Sequence, residues 1–352
     1  MKEFVKNSKD GKVSEALAGL TDPKLIMMFV GNADNFDANV EELEKAFPGV
    51  PSVACIANAY GQEMYPDGLS IIAFTDGVDV VTGVLKEAST APVKYMKEME
   101  DKIRQLRPGT DDTVCIDFCT GNDACVLTTV HSLLHKHHIA LTGGTGDAGK
   151  VAVDGQVYQD ADAYILVKNR RGKIKVYKEN IYRPMEGYRF IASDTDKSKY
   201  YVGKLNGKSA KQVYMDVLGI PESEIQTATF ANPFGKLSGK DVCIISLKGV
   251  EGPGLTCYRQ VNDSDVLSLL AIRDTEEIAH ETIEKIKKDF NKISGVFSIN
   301  CAFRYIYFND HGSMNSYLKL MNELSGHCGY VGYGEHYNEQ FVNQSMSCVV
   351  FE

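Results

Sequence analysis

In KLIMMFV, residues 24–30, Leu25 to Val30 form an unbroken apolar run of strand length, the pattern of a strand buried on both faces. Val40, Leu43 and Phe47 then recur at helical spacing, with Glu41 and Glu42 close to the start and Asn35 or Asp37 placed to cap. Pro48-Gly49 stops that helix, and a short strand follows at 53–57. Strands are predicted at 69–74 and 78–85 around the hairpin signal Asp76-Gly77. A helix is predicted over 92–106, a strand over 113–118, a helix from about Asn122 to His137 and a strand over 138–142. Further strands flank a turn at Arg170-Arg171-Gly172.

From about residue 188 the pattern restarts. Short strands, a helix at 209–218 and strands at 242–249 and 266–272 lead to an amphipathic helix at 275–292. One strand is read over 296–308, containing FSINCAFRYIYF, followed by a helix at 313–324 and a strand near 328–332. Stretches 69–147 and 242–335 follow the same order and end on a glycine beside an acid. Asn122 to Asp147 and Asp310 to Glu335 both span 25 positions, and 24–63 repeats the second half of the pattern. The expectation is an α/β (mixed α+β) protein of two similar halves, each built of strand–helix–strand units on mixed sheets. The divisions expected are an extension over 1–23, an N part over 24–185 and a C part over 186–352. In open α/β sheets, strand-end turns of this kind gather at a ligand crevice.

Composition narrows the class. A chain of 352 residues exceeds one ordinary core. Its formal charge of -9, without a basic block, argues against nucleic acid and anionic membrane as partners. The start lacks a signal-peptide pattern and no apolar run reaches membrane length, so a cytoplasmic location is expected. Nine scattered cysteines without a CxxC pair read as reduced thiols.

Several motifs carry less than they promise. Gly144 to Lys150 fits GxxxxGK, but Val151 stands where the magnesium-binding Ser or Thr belongs. An alternating strand pattern follows it, where a phosphate loop opens a helix. Its glycines instead let backbone approach backbone or a small ligand. His131, His135 and His138 share a helix face without a neighbouring acid, and suit the helix C-terminus without a metal. Cys115, Cys119 and Cys125 lack iron–sulfur spacing and read as core residues. Cys301 is a candidate nucleophile only if partly exposed, because buried thiols are inert.

Arg304 is more telling. It stands in an apolar stretch, and a buried guanidinium needs a carboxylate. That carboxylate belongs either to a ligand or to an internal partner such as Glu335 or Asp147.

Cys301-Ala302-Phe303-Arg304, the turn Gly329 to Glu335 (GYVGYGE) and Asn343-Gln344-Ser345-Met346 resemble the C part of the FIST sensory-domain family. Gly143-Gly144-Thr145-Gly146-Asp147 resembles a turn of its N part, so the likeness covers about residues 24–352. One stretch departs: Ala54 to Glu63 retains Cys55, Gly61 and Glu63 but alters the small polar middle usual in the family. The resemblance implies a stand-alone sensor of bacterial or archaeal signal transduction that binds a small ligand, an amino acid or related metabolite. It implies a separate partner such as a histidine kinase, a chemoreceptor or a cyclic-dinucleotide enzyme. Ligand contacts are expected from Arg304, Glu335, Cys301, Tyr333, Asn343, Asp147, Gly144 and Gly334, with Arg304 on a carboxylate and Glu335 or Asp147 on an amine or hydroxyl. Two alternatives stay open: a haem-binding nitric oxide sensor, with His336, His311 or His327 as axial ligand, and an enzyme acting through Cys301.

Overall fold

The computed structural model describes residues 1–121, 123–239 and 241–352. The start of the second-unit helix expected at Asn122 therefore lies outside the described residues. The fold is mixed α+β with several mixed sheets.

Three six-stranded sheets share one plan. The first runs Lys2–Ser8, Leu69–Asp76, Leu25–Val30, Ser52–Ile56, Lys150–Val153, Gln156–Gln159. The second runs Val78–Lys86, Ala161–Asn169, Thr113–Cys119, Ala140–Thr145, Glu335–Tyr337, Gln340–Val342. The third runs Ile174–Asn180, Ser345–Phe351, Gly295–Cys301, His327–Gly332, Ala59–Tyr60, Met64–Tyr65. In each, the third and fourth strands are a parallel pair joined through helix. The last two strands are a hairpin donated by another unit: the first unit's goes to the third sheet, the second's to the first, the third's to the second. The chain is thus three copies of one unit in cyclic exchange, two in its first half and one in its second.

This corrects the register of the repeat read from sequence. Strand 69–76 closes the first sheet rather than opening the second unit, and residues 2–8 form that sheet's edge. In the third unit the opening strand is Ile174–Asn180. The strands at 241–245 and 266–272 belong to a fourth, eight-stranded sheet inserted after it, whose first strand Tyr182–Asp196 spans the expected division at 185/186.

Alternation along each parallel strand explains the packing. Leu25, Met27 and Phe29 face a core shared by all three sheets, whereas Ile26, Met28 and Val30 face the first unit's own helices. Phe29, Phe118 and Phe297, one from each sheet, meet at that centre with ring centroids 5.2–6.0 Å apart. Phe29 and Phe297 stack at 16°, and Phe118 tilts against them at 42° and 58°, so each ring buries a large apolar area. The outer faces are covered by Phe36–Ala46, by Met96–Leu106 with Asp123–Lys136, and by Thr275–Asp289 with Met314–Asn322. The inserted sheet has a separate core around Tyr214, Phe234, Leu247 and Leu269.

The stretch 296–308 is not one strand. It ends at Cys301, and Ala302–Asp310 is a helix. Arg304 and Phe308 are its buried pair, four residues apart, a helical spacing hidden among apolar neighbours. The GxxxxGK stretch leads into strand Lys150–Val153 rather than a helix, and Lys150 pairs with Asp37 at 2.9 Å.

Candidate functional site

The carboxyl ends of the three parallel pairs meet. Thr145 donates its N–H to Gly334 O (2.9 Å) and accepts from Tyr333 N–H (3.0 Å). Asp147 N–H reaches Ile56 O (2.6 Å), and Val331 N–H reaches Asn58 O (2.9 Å). Gly144, at φ 149°, pairs with Glu335, and a Cβ there would stand 2.1 Å from Gly334 O. Glycine is therefore required where the second unit's strand meets the third unit's turn.

Glu335, Cys301, Gly144, Gly334, Tyr333, Asp147 and Asn343 gather around this junction. Glu335 is buried, opposite Gly144 and Val342 in the sheet. Cys301 ends its strand at the N-cap position of helix Ala302–Asp310; its sulfur makes no capping hydrogen bond, but the backbone N–H groups of Phe303, Gln344 and Arg304 lie close enough to influence it. Burial pushes its thiol pKa up, the Glu335 carboxylate adds to the rise, and the N–H groups oppose both. The resting group is a neutral thiol. Because Asn300 pairs with Met346, Ser345 lies beside Cys301, on the face that turns toward the shared core. Ser345 Oγ and Asn343 Nδ2 are buried with no hydrogen-bond partner among the described residues. Tyr333 and Asp147 form the exposed rim; burial and then the Asp147 carboxylate raise the Tyr333 pKa.

Arg304 stands apart from this group. Its guanidinium is 0% exposed and pairs with Glu179, rather than with Glu335 or Asp147, while Nε donates to Asn300 Oδ1 at 2.9 Å. The rings of Phe308 and Tyr317 lie 4.5 and 5.0 Å from the guanidinium carbon. Burial lowers the Arg304 pKa, but Glu179, with Tyr317 and Tyr182, outweighs it, so the net shift is upward. Glu179 escaped the sequence reading because it sits 125 positions away, on the strand opening the third sheet.

Gln344 was also missed as a contact residue. Buried at φ 51°, it donates from Nε2 to Tyr182 Oη and Thr229 O (3.0 Å each) and accepts from Ser246 Oγ (2.8 Å). It ties the turn between Asn343 and Ser345 to the inserted sheet and its helix. A cleft of about 660 Å³ opens nearby between helix Asp123–Lys136 and the inserted sheet, with Tyr200, Tyr258, Arg259 and Phe341 among its walls. Arg259 Nη1 donates to Phe341 O at 2.7 Å, and Tyr258 packs edge-on against Phe303, two residues after Cys301.

The candidate haem ligands lie in different surroundings. His327 is buried with Nε2 2.7 Å from Ser298 Oγ, and desolvation lowers its pKa to about 3. His336 is buried against Asp117, Nδ1 to Oδ2 2.6 Å. His311 is exposed, with Nδ1 2.7 Å from Tyr307 O.

The fold is that of a two-part mixed α+β protein, and the family its sequence matches is associated with sensing in signal transduction. The chain belongs to the FIST family: the FIST N domain model matches residues 24–208 and the FIST C domain model matches residues 210–338. A comparison with curated proteins finds no match. Among the described residues no helix is long and apolar enough to cross a membrane.

Proposed function

We propose that this FIST protein is a cytoplasmic sensor that binds an amino acid or related small metabolite at the junction of its three parallel strand pairs. The observation that carries the reading is the pair of buried polar groups, Asn343 Nδ2 and Ser345 Oγ, with no partner among the described residues. They lie beside Glu335, Cys301 and the Gly144–Gly334 contact. Buried polar groups are normally satisfied, and a small polar ligand would satisfy these. Glu335 supplies negative charge for an amine, and the helix start at Cys301 supplies N–H groups for a carboxylate. Asp147 and Tyr333 form the mouth. Arg304, held by Glu179, positions the helix that follows Cys301. The free cysteines fit a reducing compartment.

Gln344 gives the site an output. A ligand that moves Asn343 or Ser345 would bias the inserted sheet through the contacts of Gln344, and a separate signalling protein would read that shift.

Thermal-shift screening of amino acids and related amines tests the reading. A stabilising compound is expected with the wild type, and Glu335→Gln and Asn343→Ala are expected to weaken it at least about tenfold, the effect of one lost charged or buried hydrogen bond. A compound that stabilises all three proteins equally places the site elsewhere.

A further inference from the structure

We propose a second site on the opposite face of the same sheet: Asp117, Cys119 and His336, with Asp162 beside them, bind a zinc-class divalent metal ion. The donor atoms of the first three lie within 4.8 Å of one another, and all three residues are buried. Asp117 and Cys119 are two apart on one strand, so both point to the helix-covered face. His336 arrives from the donated hairpin, opposite Gly143, and Asp162 pairs directly with Cys119 from the other side. The Cys119 thiol lies 3.2 Å from Asp162 Oδ1.

Three observations go beyond the clustering. The first is the donor set. One thiol, one imidazole and carboxylate oxygens match the borderline character of zinc, whereas calcium and magnesium select oxygen alone. Separately, Asp117 Oδ1 is buried with no hydrogen-bond partner among the described residues, although Oδ2 is bonded to His336. Finally, the backbone is shaped to admit the group. A Cβ at Gly143 would stand 1.6 Å from Asp117 Oδ1, so this strand position is kept without a side chain where the carboxylate lies.

The His336 Nδ1–Asp117 Oδ2 hydrogen bond and the contact of the Cys119 thiol with Asp162 Oδ1 take the place of the ion. Metal binding replaces these contacts and widens the 2.6 Å one by about 1 Å, to the ligand–ligand spacing of a tetrahedral ion. The consequence reaches the other face. His336 and Glu335 are successive residues of one short strand, so the ion would pin the strand that presents Glu335 to the strand-end junction. The metal site does not depend on the ligand reading.

Cobalt titration of the purified full chain, tag removed and chelator-treated, tests the proposal. The readout is the near-ultraviolet thiolate-to-cobalt charge-transfer band, with circular dichroism to confirm that each variant is folded. The wild type is expected to saturate at about one ion per chain and to release cobalt to zinc. Cys119→Ser is expected to abolish the band, and Asp117→Asn to weaken cobalt binding by about 10–100-fold. Cys125→Ser, at an exposed thiol, and His131→Ala, on the helix surface, are expected to leave the band intact. Absence of the band from folded, cobalt-saturated wild type overturns the proposal. So does a band that survives Cys119→Ser, or one lost with Cys125→Ser. If Cys119→Ser does not fold, the wild-type titration and Asp117→Asn decide.

Discussion

Removing Arg304 should be costly in a way that removing its whole ion pair is not. The guanidinium is 0% and the Glu179 side chain 1% exposed, so each charge depends on the other for its solvation. Arg304→Met retains most of the stem packed against Phe308 and Tyr317 but leaves the Glu179 carboxylate buried without its cation. Breaking a buried pair from one side typically costs about 3–5 kcal/mol. Glu179→Leu should cost a similar amount, by stranding the guanidinium with Asn300 alone. The double variant removes both charges and should recover most of the loss, because apolar replacement of a whole buried pair is often neutral. With a urea slope of about 3 kcal/mol/M, each single variant should lower the denaturation midpoint by about 1 M or more, and the double variant by clearly less. Urea unfolding followed by circular dichroism reads all four proteins. Single losses below about 1 kcal/mol, or losses that simply add, would refute the ion-pair argument. If Arg304→Met is stable yet binds no stabilising metabolite, the arginine serves the ligand rather than the fold.

Two further predictions concern buried polar positions. His327 resists protonation down to about pH 3 in the folded protein, whereas in the unfolded chain it takes a proton below about 6.5. Its contribution to stability is therefore complete above pH 6.5 and is lost as pH falls from 6.5 toward 3, by roughly 2–3 kcal/mol at pH 4.5. Burial raises the Glu3 pKa, so Glu3 acts with the opposite slope above pH 4.5. Comparison of wild type with His327→Gln isolates the histidine; identical pH dependence from 7 to 4.5 would sink the argument. Gly143→Ala would drive a Cβ to 1.6 Å from Asp117 Oδ1 and 2.3 Å from Asp117 O, and should destabilise by about 1–3 kcal/mol in a melting experiment. An unchanged melting temperature would show that the strands are not held so close.

Much of the local structure was legible. The apolar run at 25–30, the helical spacing of Val40 and Leu43, and the amphipathic stretch at 275–292 each became the element that their periodicity predicts. Cys301 to Met346 and the Gly143–Asp147 turn pointed to the FIST family, and the turns they contain do meet. The helix at Ala302–Asp310 was misread because nearly every residue around Arg304 is apolar, which blurs the distinction between period 2 and period 3.6.

The sequence by itself determined the buried faces of most elements, though not the helix that follows Cys301, and that three turns pairing a glycine with a nearby acid recur. Tertiary structure alone decided which sheet each hairpin joins, and therefore what those turns meet. It gave Arg304 its partner 125 positions away, and it carried His336 to Asp117 across 219 positions. The physical reason is that side-chain periodicity records burial, a local property. Strand partners depend on which backbone edges remain open after the rest of the chain has packed, and here each unit's open edge is closed by a hairpin from another.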